Sequence, residues 1–78
     1  MITVKYFGAI AAQANVAEEM VLFAEQSLVD LIQAVTTKHN FDTVSYSVAV
    51  NHELIQDVAT YDLQSNDVVA LLPPFAGG

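Results

Sequence analysis

Residues 66–78 read NDVVALLPPFAGG. VVALL (68–72) is apolar at every position, which suits a central strand covered on both faces. Asn66-Asp67 supplies the turn into it, asparagine being the non-glycine residue that best tolerates positive φ. Pro73 and Pro74 end it, because proline donates no ladder hydrogen bond and the sheet must stop at Leu72. The two prolines also hold the chain extended as it leaves the body. Phe75-Ala76 adds a short apolar grip. Gly77 and Gly78, two of only three glycines in the chain, carry no side chain, so their backbone fits a channel closed to any Cβ. The expected organisation is a folded domain over 1–72 and an extended flexible tail over 73–78, tipped by a carboxylate.

The rest of the chain supplies partners for that strand. ITVKYF (2–7) alternates: Ile2, Val4 and Tyr6 point one way, Thr3, Lys5 and Phe7 the other, as in a half-buried strand. Gly8 ends it, and AIAAQAN (9–15) forms a short helical turn with Ile10 inward. MVLFA (20–24) reads as a second strand, with Glu18-Glu19 in a solvated connection before it as solubilising charge. Ser27 opens the clearest helix. Its hydroxyl caps the first turn, Asp30 approximates a capping box, and Leu28, Leu31, Ile32 and Val35 fall at i, i+3, i+4, i+7. Lys38 and His39 suit its negative end, Asn40 a left-handed cap, and Phe41 folds back on the apolar stripe. YSVAVN (46–51) is a third strand, Asn51-His52 a tight turn, and Leu54-Ile55 a short fourth strand. TYDLQ (60–64) is one helical turn capped by Thr60.

This order, two strands, a helix, two strands, a turn and a closing strand, specifies an α+β fold of the β-grasp type: a mixed five-stranded sheet packed on one main helix. The helix covers one face. If Val69 and Leu71 meet the helix, then Val68, Ala70 and Leu72 face outward with Phe7, and the uncovered face carries an apolar patch of the kind that marks a protein-binding surface.

Composition narrows the function. Seventy-eight residues make one domain, and 54% of them are apolar, so apolar side chains remain on the surface of so small a body. Cysteine is absent, which leaves no disulfide framework and no zinc cluster of the usual kind. Two lysines and no arginine stand against nine carboxylates, a net charge of −7. Nucleic acid and anionic membrane surfaces are thereby excluded as partners, while a basic protein surface is favoured. No apolar run approaches the roughly 18 residues of a membrane span, and Lys5 interrupts the alanine-containing start, so the expected location is cytoplasmic.

Catalytic constellations are missing. His39 and His52 lack metal-ligand spacing, no metal site is expected, and Ser27, Ser45, Ser47 and Ser65 lack a nucleophile-elbow context. No glycine-rich loop lies between a strand and a helix to cradle phosphate. The best remaining reactive group is the carboxylate of Gly78.

The ending PPFAGG, the opening VKYFG, the central VAVN and the late NDVVALLPP together resemble the small subunit of molybdopterin synthase, the MoaD family of ubiquitin-like sulfur carriers. The resemblance implies that an ATP-dependent activating enzyme adenylates Gly78, with Gly77 beside it, and that a sulfurtransferase system converts the acyl-adenylate to a thiocarboxylate. ATP is used by that enzyme; this chain binds no cofactor tightly, and the thiocarboxylate is its active form. It further implies that Pro73, Pro74, Phe75, Ala76, Gly77 and Gly78 insert into a large subunit, in a heterotetramer, and donate sulfur for the dithiolene of molybdopterin. Phe7, Leu54 and Leu72 match the family's apolar partner contacts. The chain would then be the non-catalytic, sulfur-donating subunit, with the acid and base groups on the large subunit. It departs from the family at Asn66 and Asn15, where glycine is common, and at Phe75, where valine is frequent. Three other readings stand: a ThiS-like carrier for thiamine thiazole synthesis, a ubiquitin-like modifier joined through Gly78 to lysines, and a β-grasp binding module whose Gly-Gly is incidental.

Overall fold

The computed structural model describes residues 1–41 and 45–73. Its elements are β1 (Ile2–Tyr6), α1 (Gly8–Ala14), β2 (Glu18–Val21), α2 (Leu28–His39), β3 (Ser47–Val50), β4 (Glu53–Ile55), a 3-10 turn (Val58–Thr60) and β5 (Val68–Leu72). The strands form one sheet in the order β2-β1-β5-β3-β4. β5 lies at its centre, parallel to β1 and antiparallel to β3. The expected five-stranded mixed sheet on one main helix is the observed architecture, a ubiquitin-like β-grasp fold.

Alternation sets the faces. Ile2, Val4 and Tyr6 of β1 and Val69 and Leu71 of β5 are buried, and the residues between them are half-buried. α2 lays Leu28, Leu31, Ile32 and Val35 on this inner face, and Phe41, 1% exposed, folds back into the same core. The helix begins as its sequence requires: Ser27 Oγ accepts the Asp30 amide at 3.0 Å. It ends at Asn40, whose φ of 58° lets its N–H return to the Thr36 carbonyl, the left-handed cap.

Asparagine takes the other tight corners as well. Asn15 (φ 62°) closes α1 and Asn66 (φ 71°) precedes β5, so both positions where the resembled family has glycine use the left-handed backbone that asparagine tolerates. Asn51 and His52, at φ 52° and 71°, make the two-residue hairpin turn between β3 and β4. Asn51 then binds across the sheet. Its Nδ2 donates to Asp67 Oδ1 at 2.9 Å and its Oδ1 accepts the Val68 amide at 3.0 Å. Asp67 is buried and also accepts the Gln64 amide at 2.9 Å and the Tyr61 hydroxyl at 3.3 Å. Burial, and then the Asp67 charge, push the Tyr61 hydroxyl above its ordinary pKa.

Three expectations need correction. The second strand runs over Glu18–Val21, not 20–24, and Glu19 is not loose solubilising charge. Its carboxylate takes a short hydrogen bond from the Tyr6 hydroxyl, and meets Lys38 Nζ at 2.8 Å and His39 Nε2 at 2.9 Å. Lys38 and His39 at the end of α2 thus anchor the edge strand. The helical turn placed at 60–64 under Thr60 lies at Val58–Thr60 instead, where Asp57 Oδ1 accepts the Ala59 amide at 3.1 Å. Asp57 captures the free amide first, and Leu63 is left to bury itself in the core.

Candidate functional site

Among the described residues, no helix lies over the face of the sheet opposite α2. Register defines its pattern: Lys5 stands beside Ala70, Ala70 beside Ala49, and Ala49 beside Leu54, in one row across four strands. Two alanines in the middle of that row have too little side chain to fill the space above the backbone. The result is a groove of about 220 Å³ with Ala49 and Ala70 as its floor. Phe7 and Leu72 wall one end, Val68 and His52 the other, and Lys5 stands at the side.

Phe7 is 43% exposed and Leu72 half-buried. The outward apolar patch expected from alternation is therefore present, and it brings Phe7 and Leu72 together. Leu54, 46% exposed, is on the same face but across Ala49. It lines a second depression of about 420 Å³ with Ile32, Tyr46, Ile55 and Val58. Met20, 56% exposed, continues the apolar surface towards β2, its sulfur accepting from Thr3 Oγ1 at 3.3 Å. Alternation already set Lys5 and Ala70 outward with Phe7; their meeting with Ala49 and His52 in one groove escaped sequence reasoning. The alanine floor is silent because only register shows that two small residues coincide. Lys5 and His52 carry no motif, and only the sheet brings a strand residue and a turn residue to one groove.

The groove opens at the point where the chain leaves the sheet. Leu72 pairs with Ser47 in β5, and Pro73 follows, exposed, against Gly8 at the corner between β1 and α1. Pro74, Phe75, Ala76, Gly77 and Gly78 lie outside the described residues. Among the described residues, no group of three or more histidine, aspartate or glutamate side chains could hold a metal ion. Among the described residues, no helix is long and apolar enough to cross a membrane. The described site combines an apolar depression, one lysine, one histidine and a chain exit at its rim.

Comparison with known proteins finds relatives over nearly the whole chain. The chain is similar to a Pyrococcus furiosus protein assigned as molybdopterin converting factor subunit 1, at 27% identity over 95% of this chain and 97% of that one, with a TM-score of 0.80. It is similar to a chain in the complex of subunits 1 and 2 of the molybdopterin-converting factor of Helicobacter pylori, at 26% identity over 99% and 97% of the two chains, TM-score 0.72. The small archaeal modifier protein 1 of Methanosarcina acetivorans, 20% identical over 99% and 95% of the two chains with a TM-score of 0.73, shares the fold. None of the curated proteins compared with it matches. The model of the ThiS family matches residues 4–78, from within β1 through the Gly-Gly end, and this chain, with its ubiquitin-like sulfur-carrier fold, belongs to the ThiS family.

Proposed function

We propose that this protein is the sulfur-carrying small subunit of a molybdopterin synthase. The observation that carries the reading is the apolar groove between Phe7 and Leu72, placed where the chain leaves β5. A carrier must be held by its body while its tip reacts elsewhere, and this surface lies at the base of the tip. Likeness to two subunits 1 of molybdopterin converting factor over nearly the whole chain supports the pathway, and the complex of subunits 1 and 2 in Helicobacter pylori supports a large-subunit partner.

In this reading the Gly78 carboxylate attacks the α-phosphorus of ATP in an activating enzyme, releasing pyrophosphate. A sulfurtransferase persulfide then displaces AMP from the acyl carbon to give an acyl disulfide, and a thiol reductant cleaves its S–S bond, leaving the thiocarboxylate and a disulfide. Adenylation is needed because a free carboxylate is a poor acyl donor, whereas AMP is a good leaving group. Pro73 to Gly78 enter the large subunit, which supplies the acid, base and anion-binding groups. Phe7, Leu54 and Leu72 contact the partners from the outer face. The site of action is the cytoplasm, and the assembly is a heterotetramer.

The decisive experiment is intact mass after incubation with ATP, a cognate activating enzyme and a sulfur source. The expected gain equals replacement of one oxygen by sulfur and disappears when Gly78 is removed. No gain with an enzyme that loads its own carrier would overturn the reading. Addition of the large subunit and cyclic pyranopterin monophosphate should then yield molybdopterin. Sulfur delivery to a thiazole synthase instead would favour the thiamine pathway, a reading that membership of the ThiS family keeps open. Conjugates through Gly78 to lysines of other proteins would favour a modifier, the role named for the archaeal relative.

A further inference from the structure

Gly8 is the first residue of α1 and holds φ at +58°. A Cβ added there would come 2.8 Å from Pro73 Cγ and 3.8 Å from its Cδ. The first distance is well inside ordinary carbon contact, and a pyrrolidine ring closed on its own backbone cannot swing aside as a long side chain can. Both partners are pinned. The Phe7 carbonyl accepts the Ile10 and Ala11 amides at 3.1 and 3.4 Å, which fixes the corner. Leu72, paired with Ser47, fixes the residue before Pro73. Two demands therefore meet at one position, a left-handed backbone and an absent side chain, and glycine satisfies both.

We propose that Gly8 is a positioning residue for the tail: it forms the seat of Pro73 and so sets the orientation of Pro73 where the chain leaves the sheet. The purpose of the seat rests on the sulfur-carrier reading, in which the tail must enter two different enzymes from a body held by one face. Gly8 touches no reacting atom. It acts by narrowing the directions that the tip samples before entry, an orientational saving that a carrier needs in every cycle.

The test compares wild type, Gly8→Ala and Gly8→Ala/Pro73→Ala. The Phe75 amide is the first N–H beyond the two prolines, and its residual dipolar coupling in a weakly aligning medium reports whether the chain keeps a set direction there. In Gly8→Ala it should collapse towards zero while the amides of β1, β3 and β5 keep theirs. It should recover in the double variant, whose residue 73 has no Cγ to collide. A Phe75 coupling near zero in wild type, or one unchanged in folded Gly8→Ala, would overturn the proposal. Should Gly8→Ala fail to fold, Pro73→Ala alone, which empties the seat, must lower the same coupling or the proposal falls. Loading with sulfur forms the second arm. If wild type gains the mass, Gly8→Ala should show kcat/KM for the activating enzyme lower by about ten- to a hundredfold, restored in the double variant; equal rates would overturn the positioning role. If wild type gains no mass, the sulfur-carrier reading fails and the seat stands or falls on the couplings.

Discussion

Glu19 and His39, twenty residues apart in sequence, meet at 2.9 Å and join the edge strand β2 to the end of α2. Tyr6 of β1 completes the junction from below: its ring lies edge-on to His39 at 5.3 Å and to Phe41 at 5.7 Å. Burial opposes ionisation of Glu19, but hydrogen bonds from Lys38, Tyr6 and His39, with the Lys38 charge, outweigh it and hold the carboxyl down to about 2. The Tyr6 hydroxyl is pushed far above its ordinary range, by burial first and then by its bond to Glu19 and that group's charge.

Stability in acid should depend on this carboxylate. A folded-state pKa below the unfolded value of 4.5 means that the stabilisation is complete above about pH 5. It is lost as pH falls from there towards 2, because the unfolded chain takes up the proton first. The loss should be roughly 2 kcal/mol, allowing for solvent at the exposed Lys38. Urea unfolding at several pH values checks this: Glu19→Gln should be less stable at pH 7 and show a flatter acid limb. A wild-type slope retained in Glu19→Gln would place the acid sensitivity elsewhere.

Asn51→Ala should be among the most damaging changes at an exposed position. It loses the bonds to Asp67 and to the Val68 amide and places a β-carbon residue without asparagine's tolerance at φ 52°. The expected cost is about 2–3 kcal/mol, read from chemical denaturation. Asn51→Asp keeps the amide acceptor but sets a second carboxylate against Asp67, and should recover little of it.

Partner binding should respond to the groove floor as well as to its walls. Phe7→Ala should weaken large-subunit binding by ~1–3 kcal/mol. Ala70→Leu fills the space between Phe7, Leu72 and Ala49 and should weaken binding at least as much, while thermal unfolding stays near wild type because the added side chain lies outside the core. Calorimetric affinities unchanged in both would remove the outer face from the interface.

Association should also be electrostatically driven. At a net charge of −7, encounter with a basic surface is accelerated at low ionic strength. Stopped-flow association with the large subunit should slow by about tenfold or more between 20 and 500 mM salt, with dissociation changing much less. A salt-independent association rate would mean that the partner surface is not basic.

Much of this molecule was legible from single residues. VVALL declared a central strand, ITVKYF declared its faces, and Ser27 and Asn40 marked both ends of α2, because each signal is local: a period, a cap, a left-handed corner. Phe7 and Leu72 followed from the same alternation. What escaped depends on long-range meetings. EEMV does not look like a strand until Tyr6, Lys38 and His39 arrive to bind the Glu19 carboxylate. Thr60 resembled a helix cap because Asp57, three residues earlier, had no visible claim to the turn. The alanine floor and the contact of Gly8 with Pro73 exist only through sheet register, which no short window of sequence contains.

The place of β5 has a consequence for biosynthesis. Its neighbours in the sheet are β1, from the start of the chain, and β3, so the middle of the sheet stays open until Val68 to Leu72 have been made. A nascent chain that stops short of Val68 has β1 and β3 with nothing between them and cannot close its core. Completion of the sheet is thereby tied to translation of β5, and a polypeptide cut off upstream is left with an open, apolar core exposed to proteolysis.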